Sequence, residues 1–452
     1  MSNYGFIFSN KTVIPVYCHV GFWLVFTLQF CIQRFFGPGV NEALTPVEDL
    51  INISDFLPVY ILSIYVFIAI IIPISSQTTF SILTFNFKLS IMKKIILFTL
   101  CYIHLASIGH SQGCIAVRNI SGFGQYNLTS NAFTTSAWQV NINNRYFKAY
   151  RDYKGKIDMK TPVPNRNIIK SFSTDIGVTR LLNKGWSLFL NVPISANSRS
   201  STLEHGGPNT PRHSTSTFGL GDITFTAYKW LISPSVGQQG NIQLGLGIKL
   251  PTGDYKYQGY FYRNDTTRVL SAVNPAIQLG DGGTGITTEV NTFYFFNSKR
   301  TIGLYGNFYY LINPRDINGT QYTQGKSPDP FLLQIGAYDN SVPDVFSFRA
   351  GIDLNLNHWA FSAGLRDEGS PVKDLIGASD GNRRAGYTLS AEPGVIYKFK
   401  RAAIYTYVPI VVSHSIKQNL IDKKVSEHAG VYTIGPGGSG DYQVFAGVLF
   451  NL

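Results

Sequence analysis

From about Thr134 onward, hydrophobic positions recur at every second residue. Ile242, Leu244, Leu246, Ile248 and Leu250 alternate with Gln243, Gly245, Gly247 and Lys249. Phe346, Phe348, Ala350, Ile352, Leu354 and Leu356 alternate with Ser347, Arg349, Gly351, Asp353 and Asn355, and the last segment puts Tyr442, Val444, Ala446, Val448, Phe450 and Leu452 on one face. Side chains of a strand point alternately to its two sides, so a period of two predicts strands with one apolar face and one small or polar face. Twelve segments carry the pattern, near 134–146, 168–182, 186–196, 216–232, 241–250, 285–296, 300–312, 345–356, 358–366, 385–398, 401–414 and 440–452. The register is ambiguous in the fourth and the eleventh.

The connections add direction. Asn183-Lys184-Gly185, Asn297-Ser298-Lys299, Asn357 and Phe399-Lys400 are tight, 233–240 is modest, and long polar stretches fall near 147–167, 197–215, 251–284, 313–344, 367–384 and 415–439. Long and short connections alternate throughout. In an up-and-down antiparallel barrel this collects every long loop at one end, as in outer-membrane barrels, whose periplasmic turns are short and whose external loops are long. The expected fold is therefore all-β: an antiparallel transmembrane β-barrel of about 12 strands over 134–452. A soluble β-sandwich also alternates, but it does not account for an even set of long strands with all long loops at one end. Aromatic residues near strand ends (Tyr146, Phe147, Tyr150, Tyr153, Phe293 to Phe296, Tyr309, Tyr310, Tyr405 and Tyr407) fit interfacial girdles, with ordinary core packing as the competing reading.

Residues before the pattern begins are of another kind. Two stretches, 12–33 and 56–87, hold no Asp, Glu, Lys or Arg and are long enough to cross a bilayer as helices. Met92-Lys93-Lys94, an apolar run from Ile95 to Ile108, and Gly109-His110-Ser111 make a secretory signal peptide with cleavage before Gln112. Signal peptides belong at chain starts. We therefore expect 1–91 to be an apolar extension from a mistaken start, 92–111 to be the signal peptide, and 112–133 to be a short N-terminal segment, with the product exported to the outer membrane.

Composition narrows the chemistry. Only 14% of the 452 residues are charged, against ~25% in an ordinary soluble domain. All four cysteines lie at or before Cys114, which excludes thiolate metal sites and disulfides from the rest of the chain. The net charge is +12, and removing the five bases and four acids before Gln112 leaves +11, so the basic character belongs to the barrel. No His-Glu-x-x-His is present, and Gly280-Asp-Gly-Gly-Thr-Gly285 lacks the Gly-Lys-Ser/Thr end of a phosphate loop. His and Ser sit side by side at 213–214 and 413–415, where neighbours on a strand face opposite ways. Neither an enzyme nor a cofactor is expected.

With apolar residues facing lipid, strand parity assigns Asp175, Asp222, Lys249, Glu289, Arg349, Asp353, Arg366 and Glu392 to the lumen. Charges of both signs there suit either a selective constriction or a structural network filling a small barrel. At the external edge, Arg145, Lys148, Arg151, Lys154 and Lys156 interleave with Tyr146, Phe147, Tyr150 and Tyr153. Contact with anionic head groups of outer-leaflet lipids is the reading preferred here, over a solvated loop, and nucleic acid is set aside.

Gly219-Leu-Gly-Asp222, Leu244-Gly-Leu-Gly-Ile-Lys-Leu-Pro-Thr-Gly-Asp254 and Gln278-Leu-Gly-Asp-Gly-Gly-Thr-Gly285 carry a resemblance. They are similar to motifs of the outer-membrane channel family named for the meta-pathway of phenol degradation, itself distantly similar to the long-chain fatty acid transporters. Motifs cover roughly 170–310, and the remainder is similar by architecture. The resemblance implies passive uptake of small hydrophobic or aromatic solutes, and assembly by the barrel-assembly machinery. The chain ends in Leu452 where that family usually has an aromatic residue, with Phe450 two positions earlier. A closed structural barrel whose external loops bind a partner or polysaccharide is the alternative function.

Overall fold

The computed structural model describes residues 138–452, apart from 163–164, 183–184, 209, 236 and 265. The apolar extension, the signal peptide and the segment 112–133 lie outside the described residues. Within them the chain forms one closed ring of twelve antiparallel strands. In chain order these are β1 (Trp138–Ala149), β2 (Ile168–Leu181), β3 (Trp186–Ser201), β4 in two pieces (His213–Leu220 and Ile223–Trp230), β5 (Gly240–Leu250), β6 (Gly285–Phe295), β7 (Ile302–Ile312), β8 (Val345–Leu356), β9 (Trp359–Ser370), β10 (Gly386–Lys398), β11 in two pieces (Ala402–Tyr407 and Ile410–Ile416) and β12 (Gln443–Asn451). Each strand pairs with its sequence neighbours, and β1 closes on β12 from Gln139↔Asn451 to Phe147↔Gln443.

The period-two pattern becomes an inside and an outside. On β3 the outward positions read Trp186, Leu188, Leu190, Val192, Ile194 and Ala196, and only at Ser198 does the row turn polar. The ten steps from Trp186 to Ala196 rise ~34 Å, or ~24 Å at a 45° tilt, which matches the apolar band of an outer-membrane barrel. Trp138, Trp186, Trp359, Phe296 and Phe399 stand exposed at the short-turn end, with Arg180 over the Trp138 ring (4.8 Å) and Lys229 over Trp186 (5.2 Å). Amphipathic rings backed by cations mark a membrane interface. The chain is an outer-membrane β-barrel. Inward positions are polar instead: Gln139, Asn141, Asn143 and Arg145 on β1 are all buried, as are Ser171, Ser173 and Asp175 on β2.

The two segments with ambiguous register are the two broken strands, for one physical reason. Inward positions of β4 are odd-numbered before the break (Thr215, Thr217) and even-numbered after it (Thr226, Tyr228, Trp230). The pairing with β3 shows the extra residue, moving from Ile194↔Leu220 to Asn191↔Thr224. In β11 the inward set moves from Ala403, Tyr405 and Tyr407 to His414 and Ile416, with a register shift against β10 between Leu389 and Ser390. An extra residue flips every later side chain to the other face, so no single alternation fits either segment.

The girdle expectation holds for only part of its residues. Phe296 is outward, but Phe293, Phe295, Tyr309, Tyr405 and Tyr407 are buried inside. Several inner rings lie across glycines of the adjacent strand. A Cβ on Gly245 would stand 2.5 Å from the Tyr228 ring and one on Gly351 2.7 Å from Tyr305, while Tyr407 and Tyr405 cover Gly394 and Gly447 in the same way. Glycine in these positions gives a large flat ring room against the wall. Phe189, Tyr228, Ile396, Tyr405, Tyr407, Phe445 and Leu449 form one apolar cluster, joining strands from different sides of the ring in the short-turn half.

Candidate functional site

The charged interior is built from β8, β9 and β10. Arg349 and Arg366 are direct cross-strand partners, both inward and 1% and 0% exposed. Two guanidinium groups so placed repel, and burying an unpaired charge is costly. Glu392, also 0% exposed, resolves this by reaching both. Arg349 donates from Nε to Glu392 Oε1 (2.7 Å), and Arg366 Nη1 stands 3.6 Å from Glu392 Oε2. Arg366 also donates from Nε and Nη2 to Glu368 Oε2 (3.0 and 2.7 Å). Glu368 in turn accepts from the amide of Gln443 on β12, three strands further round the ring. The set is two cations against two anions, and aromatic faces close it: Tyr407 lies 5.2 Å and Tyr305 5.8 Å from the Arg349 guanidinium, and Phe445 lies 4.9 Å from Arg366. Pairing and hydrogen bonding together are what make such burial tolerable.

A second group occupies the external mouth. Lys249 ends β5, Asp222 sits in the break of β4, and Asp281 comes from the loop 251–284. Lys249 Nζ pairs with both carboxylates, 3.6 Å from Asp222 Oδ2 and in close contact with Asp281. Asp222 accepts from the backbone N–H of Gly253 (3.0 Å) and of Asp281 (3.2 Å). Asn313 and Asn318 donate to Asp281 (3.3 and 3.0 Å), and Arg315 Nη1 donates to the Gly282 carbonyl (2.6 Å), so the next loop locks onto the first. This accounts for the glycine-rich motifs. A Cβ on Gly253 would lie 2.7 Å from the Gly280 nitrogen, and one on Gly280 would strike the Asp222 carboxylate. Only glycine lets this loop fold so closely into the mouth.

Other external loops are tied down similarly. Arg383 makes a two-pronged ion pair with Asp374 (2.7 and 2.6 Å) and donates to Ser341 Oγ. Asp344 accepts from the N–H of Asn313 (2.7 Å) and of Leu375 (2.8 Å), and burial pushes its carboxyl above the ordinary range. His205 in the loop after β3 accepts at Nδ1 from the Tyr262 N–H (3.1 Å), and burial lowers its pKa to about 4.

All eight residues assigned to the lumen by parity sit on the inner side, but in separate groups and at different heights. Arg349, Arg366 and Glu392 form the central network, and Asp222 and Lys249 belong to the mouth. Glu289 accepts from the Tyr228 hydroxyl (2.9 Å), Asp175 is cross-strand to Asn143, and Asp353 lies inward on β8. They do not make one ring. Glu368, Gln443 and Asp281, absent from the sequence assignment, are needed to complete the groups.

One base moves to the other side of the wall. Arg145, expected against lipid, is 2% exposed and inward, its ring partner being Phe147 at 5.4 Å. The reason is strand parity: Arg145 lies within β1 two residues from Asn143 and so shares the inner face of Asn141 and Asn143. The parity signal was present in Gln139, Asn141 and Asn143. Lys148 is exposed and outward, Lys154 and Lys156 are exposed in the loop above, and Arg151 is engaged by Asp441 at 3.1 Å.

No family model matches this sequence, and no curated protein does. Among solved structures, the chain is similar to an outer membrane channel from Pseudomonas putida F1 (11% identity, 70% of this chain and 95% of that one, TM-score 0.45). It is also similar to the translocator domain of the autotransporter NalP from Neisseria meningitidis (11%, 73% and 95%, 0.38) and to a Pseudomonas aeruginosa FadL homologue (10%, 75% and 96%, 0.37).

Proposed function

We propose that this barrel is an outer-membrane channel for passive uptake of small hydrophobic or aromatic solutes. One observation carries the reading: the wall around the central charges is polar and only partly satisfied by the protein. Ser173, Ser195, Ser347 and Ser390 point their hydroxyls inward, and Asn191 its carbonyl, with no hydrogen-bond partner among the described residues. Buried polar atoms are normally paired with protein or water, so a wall of this kind suits water or a passing solute. Flat tyrosine faces beside it (Tyr228, Tyr305, Tyr407) supply apolar contact for a ring. Arg349, Arg366 and Glu392 would then act as the selective group, with Lys249, Asp222, Glu289, Asp175 and Asp353 along the path. Sec export, cleavage before Gln112 and assembly through the barrel-assembly machinery belong to the same reading, and amino-terminal sequencing of the membrane-inserted protein checks the cleavage.

The test is influx into liposomes holding the purified barrel, comparing a small aromatic acid with a sugar of similar size. Faster influx of the aromatic acid is expected. Equal influx would make it a general pore. The second reading, a closed structural barrel, is favoured by the reach of Gln443 to Glu368 and by the aromatic cluster that joins different sides of the ring. Influx of neither solute through folded protein would establish it and end the channel reading.

A further inference from the structure

The outer wall changes character around the ring. At the external end the outward rows run as register neighbours across β1, β2, β3 and β4, the lower row beginning on β12. The lower row is Val444, Tyr146, Phe172, Ala196 and Phe218, with Phe218 71% exposed. Two residues further out the row becomes Lys148, Lys170, Ser198 and Ser216. Hydrocarbon contact thus ends between these rows, and head groups begin at the second.

Lys148 and Lys170 are direct cross-strand partners, and both are exposed. Like charges directly opposite are unfavourable. Neither ammonium has an ion-pair partner among the described residues; the nearby carboxylate, Asp441, is taken by Arg151 and the Tyr150 hydroxyl. Lys148 Nζ instead lies 5.4 Å from the Tyr150 ring. The external ends of β5, β6 and β7 differ: their outward residues Ile248, Ile286 and Ile312 form an apolar row with no base in it.

We propose that Lys148 and Lys170 form a clamp for the phosphate of an outer-leaflet lipid head group, held on the β1–β2 face of the barrel. Strand partners of this kind have Cα atoms about 5 Å apart, so two lysine heads can share one phosphate and relieve their own repulsion. The aromatic row beneath, Tyr146, Phe172 and Phe218, takes the acyl chains of the same lipid. The site rests on the membrane fold and not on the channel reading, so it stands or falls independently of solute influx.

The experiment uses the full barrel in detergent and measures retention of lipid A bearing both phosphates by native mass spectrometry. The variant Lys148→Gln/Lys170→Gln is expected to weaken retention about thirtyfold, since each lysine near an anionic surface contributes on the order of 1 kcal/mol. Lys423→Gln/Lys424→Gln, the same charge removed from the external helix Leu420–Ala429, is expected to leave it unchanged. Dephosphorylated lipid A should bind both proteins alike. Equal retention by the first variant overturns the clamp, and so does displacement of the lipid by equimolar inorganic phosphate, which would make this a free-anion site. Folding of each variant is read from heat-modifiable migration, and Lys170→Gln alone serves if the double change impairs it.

Discussion

The two broken strands share a backbone device and use it differently. Each break faces a proline on the strand before it, Pro193 on β3 and Pro393 on β10, whose carbonyl accepts from the broken strand: Gly221 N–H at 2.8 Å in one case, Val408 N–H at 3.0 Å in the other. In an antiparallel strand a residue's N–H and C=O point to the same neighbour. Each proline therefore withholds a ladder hydrogen bond from the partner at the place where that partner breaks. Beyond this the two diverge. In β4 the break presents Asp222, which binds Gly253, Asp281 and Lys249 and so moors the loop 251–284 to the wall. In β11 the break presents Val408 and Pro409, and the chain simply changes partners: Pro409 accepts from the Gln443 N–H (2.9 Å), and Val411 N–H donates to Asp441 (2.8 Å). The break is a mooring where a carboxylate occupies it, and a bend where proline does, the β11 bulge itself lying further along, between Val411 and Ser413.

The largest effect is expected where the mooring is cut. Asp222→Ala removes the acceptor of two backbone N–H groups and leaves Lys249 with Asp281 alone. Breaking a buried ion pair from one side costs roughly 3–5 kcal/mol, so a loss of about 3 kcal/mol in urea unfolding is expected, with new protease cleavage inside 251–284. Pro409→Ala at the other break should cost under about 1 kcal/mol, within the range of ordinary substitutions. Equal losses at the two sites would erase the distinction between mooring and bend.

Attacking the mooring from the loop side gives a middle-sized effect. A methyl group on Gly280 would meet the Asp222 carboxylate and the Gly253 backbone, and backbone cannot swing away. Overpacking of this kind costs ~1–3 kcal/mol, so Gly280→Ala should destabilise by about 2 kcal/mol in the same urea titration. Combined with Asp222→Ala it should cost less than the sum of the two, because the carboxylate is then gone and only the Gly253 backbone still obstructs. Full additivity would show that Gly280 acts elsewhere.

These particulars show what the sequence pattern could and could not carry. Period two and the alternation of long and short connections located all twelve strands, because lipid outside and a crowded interior inside impose the same rule on every one. The pattern stopped at the two bulges, where one extra residue exchanges faces, and at the end of β1, where an amphipathic run of bases and tyrosines hid three more strand residues; grouping Arg145 with that run overrode its parity with Asn141 and Asn143. Parity also placed the eight lumen charges on the inner side without grouping them. Which charges meet depends on ring curvature and loop folding: Gln443 reaches Glu368 from three strands away, and Asp281 enters from a loop. Inner tyrosines and a girdle look alike in sequence because both positions favour the same residue. What separates them is a glycine on the adjacent strand, as Gly394 under Tyr407 and Gly447 under Tyr405.

The smallest expected effect separates the external loops beside the two breaks by acidity. His205 lies in the loop that leads into the outer piece of β4, against Tyr262 and Phe261, and burial holds its pKa near 4. A depressed histidine is neutral in the folded loop and must charge when the loop opens, so stability falls as pH drops below about 6.5 toward 4. Beyond β11 the corresponding group is Asp422, in the capping box of the helix Leu420–Ala429, where burial raises the carboxyl. A raised carboxyl works in the opposite sense: it contributes stability at acid pH and loses it as pH rises through its folded value. Between pH 7 and pH 5, the protection of 202–212 against hydrogen exchange, with the intrinsic pH dependence of exchange divided out, should therefore fall by an amount on the order of 1 kcal/mol, while that of 419–435 holds steady or rises. His205→Gln, which keeps a hydrogen-bond acceptor without the titration, should abolish the first change and leave the second. Loss of protection in both loops together would mean that acid acts on the whole mouth of the barrel and not on one buried ring.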